Sequence, residues 1–126
     1  MLRSAAHAIT LFCCILFWGA VGIAQPSASA LNRIQTVVEG VRTPQHAHQA
    51  AIILRARPGV VMCRVDHNTR NILLHVDPAC TLSETEMNVL LAPVEMSVHC
   101  FTRSPSIDAP FRKLDPKNCG ILPPRK

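Results

Sequence analysis

A strand-like run that leads directly into the start of a helix constrains the fold of this chain more than any other feature. From Ile34 to Val38 every second residue is apolar or β-branched, which is the pattern of a strand with one buried face. Gly40 ends this run, and Thr43 followed by Pro44 is typical of a helix N-cap with proline at the first helical position. We therefore expect any chemistry of the domain at the short loop between these two elements.

The next part of the chain predicts the end of this helix and a hairpin. The helix is expected to run to about Ala56, because Pro58 and Gly59 follow. Two apolar-rich runs, residues 60–66 and 71–77, then flank a four-residue turn that begins at His67. This spacing indicates two antiparallel strands joined by a tight turn.

A second helix and a last strand complete the pattern. Ser83 with Glu86 three residues later is a capping box, and the helix that it opens is expected to end near Pro93. Residues 96–101 alternate again, with Cys100 on the apolar face. The order β-α-β-β-α-β predicts an α+β, ferredoxin-like sandwich, in which both helices cover one face of an antiparallel four-stranded sheet.

The two ends of the chain differ from this domain. Residues 1–30 have the basic start, apolar run and small residues of a signal peptide, with cleavage expected after Ala24 or Ala30. An uncleaved leader would instead tie the protein to a membrane. Residues 31–102 are predicted to form the domain, and residues 103–126 an extended, basic, proline-rich and poorly packed tail. The expected location is the periplasm or the extracellular space.

The charge of the mature chain does not point to nucleic acid. The mature chain keeps 13 − 1 = 12 basic residues against 8 acidic ones, so its net charge is +4. Phe101 and Phe111 are its only aromatic residues, so the stacking platforms that single-stranded nucleic acid needs are missing. We predict no nucleic acid partner.

Four cysteines follow the leader, and an even number in an exported chain indicates disulfides. In the predicted topology Cys63 faces about Leu74, which leaves Cys80 about 20 Å further along the strand. No disulfide spans that distance, and Cys63 and Cys100 would lie on opposite edges of the sheet. If all four pair, the connectivity is Cys80–Cys100 with Cys63–Cys119. Otherwise Cys63 is a buried, inert thiol and one bridge forms among the other three.

Four short motifs occur in an order that indicates a family. They are V-E-G at 38–40, P-G-V at 58–60, V-D at 65–66 and D-P at 77–78. With these motifs the chain resembles the heavy-metal-associated (HMA) domain family, which includes copper and zinc chaperones and the N-terminal modules of metal-pumping ATPases. The resemblance covers about Arg33 to Phe101, and it implies the ferredoxin-like fold and a metal-binding loop.

The metal loop implied by the resemblance departs from the family motif, G-M-x-C-x-x-C. That motif falls on residues 40–46, where Thr43 and His46 stand at the two thiolate positions. Thiolates suit copper(I), whereas imidazole suits zinc, copper(II) or nickel. The candidate metal ligands are therefore His46, His48 and His67, the last because its turn is expected at the same end of the sheet. The alternative is that His46 and His48, which point to nearly opposite sides of a helix, only face solvent.

Two functions follow from the sequence. We predict a heavy-metal-binding or transport accessory protein with a degenerate site for zinc or copper. The alternative is a metal-free interaction domain of the cell envelope, which binds a protein partner through the sheet face that carries Val37 and Leu73. The loop from Glu39 to Arg42 also resembles the anion loop of acylphosphatases, but residues 60–66 contain no asparagine to complete it, so no enzyme is predicted.

Overall fold

The computed structural model describes residues 30–124, so the predicted signal peptide falls outside the described residues, apart from Ala30. The strands are β1 Asn32–Glu39, β2 Val60–Val65, β3 Asn71–Val76 and β4 Ser97–Ser104, and the helices are α1 Pro44–Arg55, α2 Glu84–Leu91 and a 3-10 turn Ala92–Val94. The strands form one antiparallel sheet in the order β2-β3-β1-β4. Both α-helices pack on one face of it, which confirms the predicted ferredoxin-like sandwich. In residues 30–124 no helix has the length and apolar character needed to cross a membrane.

Both helices begin at the caps that the sequence predicts. The Thr43 hydroxyl accepts a hydrogen bond from the backbone N–H of His46 at 3.0 Å, and the Ser83 hydroxyl accepts one from Glu86 at 3.2 Å. Each bond satisfies one of the N–H groups that lack a partner at the start of a helix. The residues of the two helices that face the sheet are buried: Ala47, Ala50, Ala51, Leu54, Met87 and Leu91.

The main core lies between these helices and one face of the sheet. Alternate strand residues such as Ile34 and Leu74 are fully buried there. Cys63 pairs with Leu74 across β2 and β3, which is the predicted register. This face is therefore closed by regular elements, each with its apolar side turned inward.

The last strand does not keep the predicted alternation. Between Gln35 and Val37 the pairing of β1 with β4 shifts by one residue, so β4 carries a bulge. Cys100 has a φ of 59° at this point. As a result Phe101, rather than Cys100, packs against the helix-side core. The predicted position of Cys100 on the apolar face is wrong.

The bulge also explains the disulfide. Cys100 is bonded to Cys119, while Cys63 and Cys80 are buried free thiols. The predicted pairs Cys80–Cys100 and Cys63–Cys119 are therefore wrong, because Cys63 and Cys80 lie in the helix-side core while the bulge turns Cys100 away from it. A buried Cys63 with one bridge among the other three is the alternative that the sequence left open.

The segment after β4 packs on the sheet face that the helices leave open. Residues 105–124 contain no helix or strand, but their backbone is anchored to β1 and β3. Arg33 donates from its guanidinium to the carbonyl of Ile107 at 2.6 Å. The Asn71 amide accepts from the backbone N–H of Leu114 at 2.8 Å and donates to its carbonyl at 3.1 Å. We call residues 105–124 the tail.

The tail bears on two expectations. Most of residues 105–124 are exposed, but Leu114 is buried against the domain. The expectation that Val37 and Leu73 mark an exposed surface is wrong, because Val37 is fully buried and Leu73 is half-buried. The tail therefore covers part of this face of the sheet.

Candidate functional site

The loop between β1 and α1 is held against the connection between α2 and β4. Gly40 has a φ of 89°, which favours glycine, and a side-chain carbon there would collide with the backbone of Glu95. Glu95 is itself left-handed, with a φ of 58°. The guanidinium of Arg42 lies 3.8 Å from the Glu95 carboxylate, and both side chains are mostly exposed. This ion pair is worth little in water, so the contact between the two segments depends mainly on backbone fit.

His46 ties the same two segments together through both of its ring nitrogens. Nδ1 accepts a hydrogen bond from the backbone N–H of Arg42 at 3.3 Å. Nε2 lies 2.8 Å from the carbonyl oxygen of Val94. Because a carbonyl can only accept, these contacts assign the proton to Nε2 and leave Nδ1 as the acceptor. His46 therefore links the loop to the 3-10 turn.

This arrangement does not suit a metal ligand. A histidine binds a metal through a nitrogen lone pair, and its other nitrogen then donates to a nearby acceptor. In His46 the only lone pair faces the N–H of Arg42. A metal at Nδ1 would have to displace that N–H, and a metal at Nε2 would displace the bond to Val94.

The other two predicted ligands do not complete a set with His46. His48 is exposed on α1 and lies in the same shallow depression as His46. His67 is in the turn between β2 and β3 and lines a different depression, together with Asp66 and Leu73. No group of three or more His, Cys, Asp or Glu side chains in residues 30–124 is arranged to hold a metal ion. The zinc or copper that the resemblance implies therefore has no preformed site among these residues.

The free thiols do not supply ligands at the loop either. Burial raises the pKa of Cys63 to about 12, so this thiol stays protonated at neutral pH. Cys80 is buried in the same helix-side core, where it lies against Gly59. Both cysteines belong to the core.

Solved structures with a similar fold include domains of copper ATPases and a metallochaperone. The N-terminal domain of a potential copper-translocating P-type ATPase from Bacillus subtilis, in the Cu(I)-loaded state, has 14% identity and a TM-score of 0.51, over 64% of this chain and 99% of that chain. The CopZ metallochaperone has 15% identity and a TM-score of 0.48, over 53% and 98%. A copper-binding domain from HMA7, a P-type ATPase, has 16% identity and a TM-score of 0.48, over 54% and 90%.

These likenesses concern the fold. The first of them supports an HMA-like fold for this domain, and at 14% identity it carries nothing about a ligand. No protein-family model matches the chain. No curated protein matches it in sequence either.

The residues that hold the tail were not predicted from the sequence. Leu114 and Ile121 form an isolated antiparallel bridge around the turn 115–120. Asp115 followed by Pro116, with Gly120 at the end, is a turn signal between two apolar residues, and it could have predicted this small hairpin.

Proposed function

We propose that this domain binds a protein partner at the loop between β1 and α1 and holds no metal ion there. His46 carries this proposal, because both of its ring nitrogens are used to fix the loop to the 3-10 turn. The similar ATPase domain is described as Cu(I)-loaded. In the present chain the loop between β1 and α1 supports recognition by shape and polar groups instead.

The surface around this loop is suited to such a partner. A shallow depression of about 690 Å³ lies there, and its exposed polar side chains are Arg42, Gln45, His48, Gln49 and Glu95, which we call the loop surface. The backbone beneath them is fixed by the cap of α1, by His46 and by the close approach at Gly40. A surface that is already ordered loses less entropy when it binds.

We propose further that the protein works outside the cytoplasm, in the periplasm or after secretion. The signal-peptide pattern of residues 1–30 supports this location. The Cys100–Cys119 disulfide supports it as well, because such bonds persist mainly in oxidising compartments.

Metal titration tests the proposal that the loop holds no metal ion. Zinc and copper(II) are titrated by calorimetry into the protein and into His46→Ala and His48→Ala. We expect weak uptake that is equal in all three proteins. We also expect His46→Ala to be less stable by about 1 kcal/mol, because it leaves the carbonyl of Val94 without its donor. A stoichiometric site that is lost only in His46→Ala would refute the proposal.

Site-specific crosslinking tests the proposal that a protein partner binds at the loop surface. A photo-reactive residue is placed at Gln45, on the loop surface, and in a control protein at Thr81, which is exposed between β3 and α2. We expect one protein from the native host to crosslink at Gln45 and not at Thr81, and Arg42→Glu to weaken that crosslink. Equal crosslinking at both positions, or none at Gln45, would contradict a partner at the loop surface.

A further inference from the structure

A second depression lies between the tail and the turn that joins β2 to β3. It is lined by residues 68–70, 110–113, 116 and 122–124, and its volume is about 650 Å³. We call it the tail groove. This volume is within the range of about 300–1,000 Å³ that is typical of sites for small ligands.

The apolar part of the groove is exposed and stiff. Phe111 is 42% exposed and Leu122 is 37% exposed, although both are large apolar side chains. Four of the lining residues are prolines, at 110, 116, 123 and 124, and the ring of each fixes its φ angle. A wall of this kind offers apolar contact without the entropy loss of ordering flexible side chains.

All the charged side chains that line the groove are basic. Its lining contains Arg70, Arg112 and Lys113, and no aspartate or glutamate. Arg70 is neutralised by Glu39 at 2.8 Å. Within residues 30–124, Arg112 and Lys113 take part in no ion pair closer than 4.0 Å. Neither of these two cations, which line the groove together with the exposed Phe111, is therefore held in a direct ion pair within this part of the chain.

One carboxylate that feels the charge of Lys113 already has hydrogen-bond donors of its own. Asp66 accepts hydrogen bonds from the backbone N–H groups of Asn68 and Thr69, at 2.9 and 3.4 Å. Burial alone would raise the pKa of Asp66, but these bonds and the charge of Lys113 lower it overall. Asp66 belongs to the neighbouring depression and to the turn, and it does not line the groove.

The groove is assembled before any ligand arrives. The Cys100–Cys119 disulfide and the bonds from Asn71 to Leu114 hold the tail on the sheet. His99 also lies with its Nε2 3.0 Å from the carbonyl oxygen of Pro116. The tail side of the groove is therefore fixed relative to the turn that forms its other side.

We propose that the tail groove binds a small apolar carboxylate, with the apolar body against Phe111 and Leu122 and the carboxylate beside Arg112 and Lys113. Charge complementarity and the size of the groove favour this class of ligand over a neutral or cationic one. A folded protein partner is less well matched, because a stable interface covers about 800 Å² on each side. This site is separate from the loop surface and does not depend on the function proposed for it.

A matched pair of probes tests whether the negative charge of the ligand contributes to binding. The oxidised full-length protein is titrated with 2-naphthoate and with the neutral 2-naphthamide, and binding is followed by fluorescence and by NMR shifts of assigned amides. We expect naphthoate to bind about tenfold more tightly than naphthamide, because only naphthoate meets the two unpaired cations. The largest shifts are expected between residues 110 and 124. Equal affinity for the two probes, or shifts centred elsewhere, would overturn the proposal.

A matched pair of variants tests whether the ligand binds in the tail groove. Lys113→Gln removes a charge that lines the groove, and Lys117→Gln removes the same charge from an exposed tail residue outside it. We expect the first to weaken naphthoate binding about fivefold and the second to leave it unchanged. Phe111→Ala should weaken both probes about tenfold, with an unchanged circular dichroism spectrum because the side chain is partly exposed. Equal effects of the two lysine variants, or no effect of Phe111→Ala, would contradict the assignment.

Discussion

The two faces of the sheet are closed in different ways. On the helix side, fully buried residues such as Ile34, Leu54 and Leu74 share the contact with two regular helices. On the tail side, an irregular segment is held by a few specific links, chiefly the Asn71 amide and the Cys100–Cys119 bond. The first closure is spread over many apolar contacts, whereas the second depends on single residues.

The largest loss of stability is expected from a substitution that leaves a cavity in the helix-side core. Leu54→Ala removes a fully buried side chain of α1, and we expect the free energy of unfolding to fall by about 2–5 kcal/mol. Ile52→Ala on the same helix is the control, because Ile52 is 51% exposed and the change should stay within about 0.5 kcal/mol. Urea unfolding of both variants gives the comparison. Equal losses would mean that the helix does not bury the face described here.

The next effect is expected from opening the disulfide. The double change Cys100→Ser and Cys119→Ser frees a loop with a sequence separation of 19, and we expect a loss of about 3 kcal/mol. Trypsin should then cut first after Arg112 and Lys113 in the tail, while α1 and α2 stay protected. A variant with unchanged stability and unchanged cleavage would show that the bond does not hold the tail.

A smaller loss is expected at the polar anchor of the tail. Asn71 is 3% exposed, and Asn71→Ala leaves the buried N–H and carbonyl of Leu114 without partners, at a cost of about 1–3 kcal/mol. Asn68→Ala changes an exposed asparagine in the adjacent turn and should have almost no effect. Chemical unfolding measures both. If the two variants lose the same stability, the link between Asn71 and Leu114 does not contribute.

The smallest effect is expected in the pH dependence of stability, through His75 on the tail side of the sheet. Burial and the neighbouring charge of Arg33 lower the pKa of His75 in the folded protein. For a base whose pKa is lowered by folding, stability is complete above the unfolded pKa of about 6.5 and is lost as the pH falls through the folded value. The wild type should therefore lose stability between pH 7 and 5, and His75→Gln should lose less. Parallel stability curves for the two proteins would contradict this role.

The helix-side face could be predicted because its signals are local. Thr43 with Pro44, and Ser83 with Glu86, mark helix starts within a few residues, and the apolar periods show which side of each element is buried. These signals need no knowledge of distant contacts. The predicted sandwich and the pairing of Cys63 with Leu74 followed from them.

The tail-side face could not be predicted because its signals are not local. One extra residue in β4 turns Cys100 toward the tail, and nothing in the alternation of residues 96–101 shows where that residue is inserted. The role of His46 could not be predicted for the same reason, since its partner Val94 is 48 residues away in the sequence. The sequence pattern placed His46 at the start of α1 but could not show that both of its ring nitrogens are already engaged.

Amide hydrogen exchange at Leu114 is the most direct test of a tail that closes the second face. Leu114 lies outside any helix or regular strand, yet its N–H donates to the buried Asn71 amide oxygen. We expect this amide in the oxidised protein to exchange at least about a hundredfold more slowly than an unstructured peptide, and to lose that protection in Asn71→Ala. Exchange of Leu114 at the rate of an unstructured peptide in the wild type would contradict the account.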